Sequence, residues 1–501
     1  PSEKTPYEHL EVLVTFLEGF DKTLDELQEL GWVEENEELG GSNYRCSPVV
    51  QEVIRTKHPS WREVLPLLRN GISNYLEIEG ERIKIGVELA RPFVGYGEAL
   101  FPQLAKKIEN IFLLNQMVVF YNSSGDLGRG MNTSISMVAL SKDLLRKNPN
   151  NLVLIDWLAT SYSKLGSALY DHGRIDEALN CYELGANLSE ELYTVFPKNL
   201  LTKNNLAVSY EKLGDAYTLT GKLNKALGVF KKYNRLGKEL CDEYVGDTGL
   251  KNNLAVSFSK IGETYSYLGD FVKSLKSFQE SSRLIEELYE ADPNDMSLKN
   301  GTAVSFKNLG NIHSLLGNMK TAFTFYKKCN FLHKEIYLLF PDNVDFKMAL
   351  AISYEKLGVT CMALNDFDNS LKFLEVELSL FQELHASYPE SVSFENGLAV
   401  SYSSIGKVHS LLGNVGEALV FFEKRLRIGK ALLTAHPKNL VFKSNLASSY
   451  SQVALALDEK ARQKRYFQAA KKLWSELNGH FPDYKEFEDS LKWVHGQLAK
   501  L

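Results

Sequence analysis

LAVSYEKLGDAYTLTGKLNKALGVF, residues Leu206–Phe230, decides the fold, because the same words return 48 residues later as LAVSFSKIGETYSYLGDFVKSLKSF, Leu254–Phe278. A search for fixed-period self-similarity comes before any local reading. The L-G glycine recurs at Gly166, Gly214, Gly262, Gly310, Gly358 and Gly406, with Ala454 in the same slot. Seven residues on stand Gly173, Gly221, Gly269, Gly317, Asn365 and Gly413. Next come the small residues Ala178, Ala226, Ser274, Ala322, Ser370 and Ala418, and four later Tyr182, Phe230, Phe278, Tyr326, Leu374 and Phe422. Prolines close most units at Pro149, Pro197, Pro293, Pro341, Pro389 and Pro437, with Val245 the gap. Tyr210, Leu213 and Tyr217 fall at i, i+3 and i+7 and predict one apolar helical stripe. Small residues let two helices approach, the second glycine marks the turn, and proline stops the second helix.

An aromatic, then L-G, a turn glycine and A-x3-F resembles the tetratricopeptide pattern of paired helices, A and B. That family's unit has about 34 residues, and this one has 48. Half of the excess lies between Tyr182 and Pro197, half between Pro197 and Tyr210. Seven residues are about two helical turns, so helix B should lengthen at its end and the next helix A at its start, with the added turns packed together. The expected fold is all-α: a right-handed superhelical solenoid of long-helix tetratricopeptide-like repeats, preceded by a small winged-helix-like α+β segment.

The register extends upstream, where Gly125 and Gly130 take the turn and alanine slots of a degenerate unit closing at Pro149. Ala454 opens a divergent unit with extra residues expected around Ala461–Phe467. The tail places Phe487, Leu491, Val494 and Leu498 on one helical face, as a cap would. The expected organisation is a winged-helix-like segment in 1–60, a helical linker or degenerate repeat in 61–102, the solenoid in 103–486 and a capping helix in 487–501.

Before the repeats, Asp25–Leu30 reads as a helix end and Pro48–Thr56 as a helix. Gly31–Val33 and Asn43–Cys46 read as strands joined by a turn over Glu34–Ser42. Residues 1–60 hold thirteen Asp and Glu against five Lys and Arg, which excludes the DNA binding common to winged helices. The words LQELGWVEE and YRCSPVVQEVIR resemble the winged-helix segment of STAND-class (NB-ARC-type) signalling NTPases, over about sixty residues. That resemblance implies the sensor half of an immune or anti-phage signalling protein that recognises a protein ligand, with NTPase core and effector upstream of Pro1 and oligomerisation through that core. The family's nucleotide-sensing histidine is Ser47 here, so Ser47 is expected only to cap a helix. The alternative is a free-standing scaffold or adaptor. A Walker A motif encoded upstream of Pro1 favours the sensor; a methionine immediately before Pro1 favours the adaptor.

The chain's 44% hydrophobic and 24% charged residues fit a globular protein. Five cysteines, Cys46, Cys181, Cys241, Cys329 and Cys361, form no CxxC, arguing against a disulfide framework or zinc site and for a reducing cytoplasm. The net charge of −6 gives nucleic acid no foothold. No apolar run approaches the ~20 residues of a membrane span. GxxxxGK[ST] is absent: the Gly-Lys pairs at Gly221, Gly237, Gly406 and Gly429 precede Leu, Glu, Val and Ala. The glycine-rich Ser123–Ser134 is expected to be a loop, and His313 and His409 core or groove-lining residues. Neither a cofactor, a metal nor catalysis is expected.

The informative positions are those the repeat leaves free. In the family's helix A, positions 5 and 9 face the concave groove; here they are Ser163/Ser167, Glu211/Asp215, Ser259/Glu263, Lys307/Asn311, Glu355/Val359, Ser403/Lys407 and Ser451/Leu455. Packing slots repeat because packing repeats, whereas these change charge from unit to unit. The partner-binding candidates are therefore Glu211, Asp215, Glu263, Lys307, Asn311, Glu355 and Lys407. Lys307 with Asn311 partly resembles the carboxylate clamp of co-chaperone repeats, but Lys356, Val400 and Ser404 break its pattern. Glu211, Asp215 and Glu263 make an acidic stretch suited to a protein or peptide with a basic or amphipathic segment.

Overall fold

The structure is a computed structural model that describes residues 33–36, 43–46, 61–79, 82–437 and 439–501. The chain divides into two compact units, Pro1–Leu140 and Ser141–Leu501. In the first, β1 (Val33–Asn36) pairs antiparallel with β2 (Asn43–Cys46), Val33 opposite Cys46. The first strand lies later than the expected Gly31–Val33 and takes in part of the expected turn. The helices expected at Asp25–Leu30 and Pro48–Thr56, and Ser47, lie outside the described residues. Helices α1 (Trp61–Tyr75), α2 (Val87–Leu100) and α3 (Glu109–Ser124) follow. A short hairpin, Ile78–Glu79 with Arg82–Ile83, interrupts what reads in sequence as continuous helix. Ser123–Ser134 is not a loop: only Gly125 and Asp126 turn, Gly125 at φ 76°, and helix resumes in α4 (Leu127–Lys147).

The second unit is a solenoid of seven helix pairs. Units 1 to 6 pair α5 (Leu152–Asp171) with α6 (Ile175–Val195), α7 (Leu200–Leu219) with α8 (Leu223–Glu243), α9 (Thr248–Tyr267) with α10 (Phe271–Ala291), α11 (Met296–Leu315) with α12 (Met319–Leu339), α13 (Val344–Ala363) with α14 (Phe367–Ser387), and α15 (Val392–Leu411) with α16 (Val415–Ala435). Each unit spends 20 residues on helix A, three on the turn, 21 on helix B and four on the link, which sums to the 48-residue period. Among the described residues no strand lies between Asn151 and Leu446.

Four devices repeat with the period. Asn151, Asn199, Asp247, Asp295, Asn343 and Asn439 each accept a backbone N–H at the start of helix A, and Ser391 stands in the same place. The A–B turn needs left-handed backbone, so Gly221 has φ 72° and Asn365, the non-glycine in this slot, φ 61°. The L-G glycine receives the helix B ring: a Cβ on Gly214 would lie 2.4 Å from Phe230 Cε1, and on Gly310 2.5 Å from Tyr326 Cε1. Finally, a lysine near the start of helix A pairs with a glutamate near the end of helix B: Lys251–Glu287 at 2.7 Å, Lys299–Glu335 at 3.0 Å and Lys347–Glu383 at 2.5 Å. The added helical turns thus meet across the A/B layer.

Unit 7 pairs α17 (Leu440–Leu455) with α18 (Lys460–His480), and α19 (Lys485–Leu498) follows. It is shorter than its predecessors, not longer as the residues around Ala461–Phe467 suggested: helix A has 16 residues. The ion pair survives the deletion as Lys443–Glu476 at 3.1 Å. Phe487 and Val494 are buried, and Leu491 and Leu498 pack against the same cluster as Trp474.

Candidate functional site

Helix A positions 5 and 9 lie on a face where successive A helices touch. There, position 6 of one unit reaches position 5 or 9 of the unit before it. Lys260 Nζ donates to both oxygens of Asp215 (2.8 and 3.0 Å), Asn308 to Ser259 (3.1 Å) and Gln452 to Ser403 (2.9 Å). These links were missed in sequence, although separations of 45 and 49 residues at position 6 carry the signal.

The seven candidates divide as follows. Glu211, Asp215 and Glu263 come together around Lys260 in units 2 and 3. Desolvation alone would lower the pKa of Lys260, but Asp215, Glu263 and Glu211 outweigh it and the net shift is upward. Desolvation, then Asp215, pushes the Glu263 carboxyl up against the pull of Lys260 and Lys307. The acidic stretch is therefore partly neutralised by lysines that positions 5 and 9 alone do not reveal. Lys307 continues the row beside Glu263. Asn311 instead turns to its own unit, where Tyr326 Oη donates to its Oδ1 at 2.8 Å. Glu355 pairs with Lys356 at 2.9 Å.

The opposite end of the row is basic. Lys407 is exposed to water yet crowded by protein, and desolvation together with Arg425 lowers its pKa. Arg425, buried and on helix B, donates to Ser403 Oγ (2.8 Å), the Asn445 carbonyl (3.3 Å) and Gln452. Among the described residues no carboxylate lies within ion-pair distance of it, and desolvation lowers its pKa to about 10. Along this row the charge changes sign, acidic at Glu211, Asp215 and Glu263 in units 2 and 3 and basic at Lys407 in unit 6.

Cys329 Sγ lies 3.6 Å from His333 Nδ1 one helical turn away, a pair the sequence reading did not propose. Burial raises the thiol to about 12 and lowers the imidazole to about 4, so the pair stays neutral and supplies no thiolate. His313 and His409 stack on Phe325 and Phe421, ring centroids 5.6 Å apart in both cases. Among the described residues no three metal-ligating side chains converge, four cysteines (Cys181, Cys241, Cys329 and Cys361) are free thiols, and no helix is long and apolar enough to cross a membrane.

Residues 158–193, most of unit 1, match the tetratricopeptide repeat family. No curated protein matches the sequence. Two solved structures of similar fold are the apo form of RapI (TM-score 0.50, 14% identity, covering 77% of this chain and 97% of that one) and the apo quorum sensor NprR from B. thuringiensis (TM-score 0.51, 13% identity, 76% and 92%). A STAND protein with a tetratricopeptide repeat sensor from Pyrococcus horikoshii aligns at TM-score 0.41 and 16% identity, over 93% of this chain and 60% of that one. At these identities the first two likenesses show a shared fold: a tetratricopeptide-like helical-repeat solenoid.

Proposed function

We propose that this chain is a protein-binding solenoid whose inner wall recognises a flexible, charge-bearing segment of a partner, without catalysis or a cofactor. One observation carries the reading: packing positions repeat every 48 residues while positions 5 and 9 of helix A change from Glu211/Asp215 to Ser403/Lys407. A ligand is not periodic, so the surface that meets it need not be. The polarity of the wall suits a segment whose basic residues meet Glu211 and Glu263 and whose acidic residues meet Lys407.

Ten-residue lysine and glutamate peptides provide the test on the full chain. Lysine peptide binding is expected to exceed glutamate peptide binding and to weaken with salt. It should fall about tenfold, roughly the 1.4 kcal/mol of a charged contact, in the triple variant Glu211→Gln, Asp215→Asn, Glu263→Gln. Neutralisation is preferred to reversal because Asp215 already holds Lys260. Equal binding of the two peptides sinks the acidic-stretch assignment.

In its wider setting the chain serves as the ligand sensor of a STAND-type signalling NTPase, active in defence. The words LQELGWVEE and YRCSPVVQEVIR, and the paired strands Val33–Asn36 and Asn43–Cys46 at the place of the wing, support this reading. A Walker A motif encoded upstream in the same frame is its expected companion; a coding sequence without one favours the adaptor.

A further inference from the structure

The groove bonds join residues 45 or 49 apart, but at the C-terminal end the chain returns to its own second and third units. Tyr484 Oη donates to the Thr218 carbonyl at 2.7 Å, across 266 residues, and Asn224 Nδ2 lies 3.4 Å from Asp483 Oδ2, across 259. The Tyr484 ring sits 5.6 Å from that of Tyr267, and Phe481 lies so close that a Cβ on Gly221 would be 2.4 Å from its Cδ1. Leu223 and Leu268 join the apolar cluster that holds Trp474, Tyr484 and Phe487. The solenoid therefore closes on itself. The joint is made by the turn at Phe481–Lys485 against the A–B turns of units 2 and 3 and the first residues of α8, Leu223 and Asn224. It adjoins the acidic end of the groove: Tyr267 feels both Glu263 and Glu486, and desolvation raises Glu486 although it is exposed.

We propose that this turn is a latch: it holds the solenoid closed and must release before a partner segment reaches the inner wall. The proposal rests on the groove reading above for its ligand, though not for the latch itself. Two variants of the full chain open the seam by different means. Tyr267→Ala with Phe481→Ala removes ring contacts at the seam, both of them to Tyr484, and retains the Tyr484, Phe487 and Trp474 rings themselves. Asn224→Lys with Asp483→Lys sets two positive charges face to face on the rim.

With far-UV circular dichroism unchanged, both variants are expected to enlarge the radius of gyration in small-angle scattering. Amide exchange at Thr218–Lys222 and Leu268–Asp270 should accelerate at least tenfold, with helices α11 to α14 unaffected. The ten-residue lysine peptide should associate about tenfold faster. Unchanged exchange and radius in both variants overturn the latch. An opened seam with an unchanged association rate overturns its role as a gate. Absence of peptide binding to every form overturns the groove reading of the preceding section, while the exchange data still judge the latch.

Discussion

Gly262→Leu is expected to melt several degrees below the parent and to loosen unit 3 before the rest of the solenoid. A Cβ at Gly262 would stand 2.8 Å from both Cδ1 and Cε1 of Phe278, whereas carbon pairs rest at about 3.5–4.0 Å. Leucine adds three further carbons in the same gap, so helix B of that unit must move outward. The movement also breaks the 2.7 Å bond from Ser274 Oγ to the Gly262 carbonyl. Overpacking of this kind costs about 1–3 kcal/mol, and the displaced helix weakens the interface to the next unit as well. Gly228→Ala is the control. It is also helical, nothing lies within 4 Å of the added carbon, and alanine should stabilise by about 0.5–1 kcal/mol. A Gly262→Leu chain that melts like the parent contradicts the close approach of the two helices.

Glu377→Gln should raise stability, by an amount that grows with pH. Glu377 is fully buried on α14; Ser401 Oγ donates to one of its oxygens at 2.7 Å and the other has no partner. Desolvation, helped by Glu355, raises its pKa well above the ordinary value. The native state therefore binds this proton more tightly than the unfolded chain does. Stability is full below the unfolded-state pKa of about 4.3 and falls as pH rises above it, by up to about 1.4 kcal/mol per unit, until the folded-state pKa is reached. Glutamine keeps the acceptor for Ser401 and cannot ionise. Urea unfolding at pH 4.5 and 7 should show variant and parent nearly equal at the lower pH and the variant ahead at the higher. A constant gap across that range removes Glu377 as the cause.

Period, helix pairing and close helix approach at the L-G glycine were legible because each is local and repeated six times. The helix A caps are equally present, since Asn151, Asn199, Asp247 and Asp295 stand at the 48-residue spacing, but polar residues between helices are common to caps, turns and loops and alone do not single out a helix start. The acidic stretch was half legible. Glu211, Asp215 and Glu263 are in the sequence, but Lys260 modifies them only because the step between units brings position 6 over position 9. The seam at Tyr484 was not legible at all. It depends on the small rotation between units summed over several repeats, a quantity no single unit displays. The hairpin at Ile78–Ile83 was missed because two-residue strands leave almost no periodic signal.

The recurring Lys–Glu pair sets a rule for how such a unit can evolve or be re-engineered. Its two members sit at opposite extremities of a unit yet meet side by side, so any lengthening must return both to the same azimuth around their helices. Two whole turns at each extremity, about 7 residues and ~10 Å, satisfy this; one turn and a half points them apart. Wall height is accordingly quantised, and a taller or shorter variant should fold when residues are inserted in matched blocks of seven, but not when an odd remainder is left on one side.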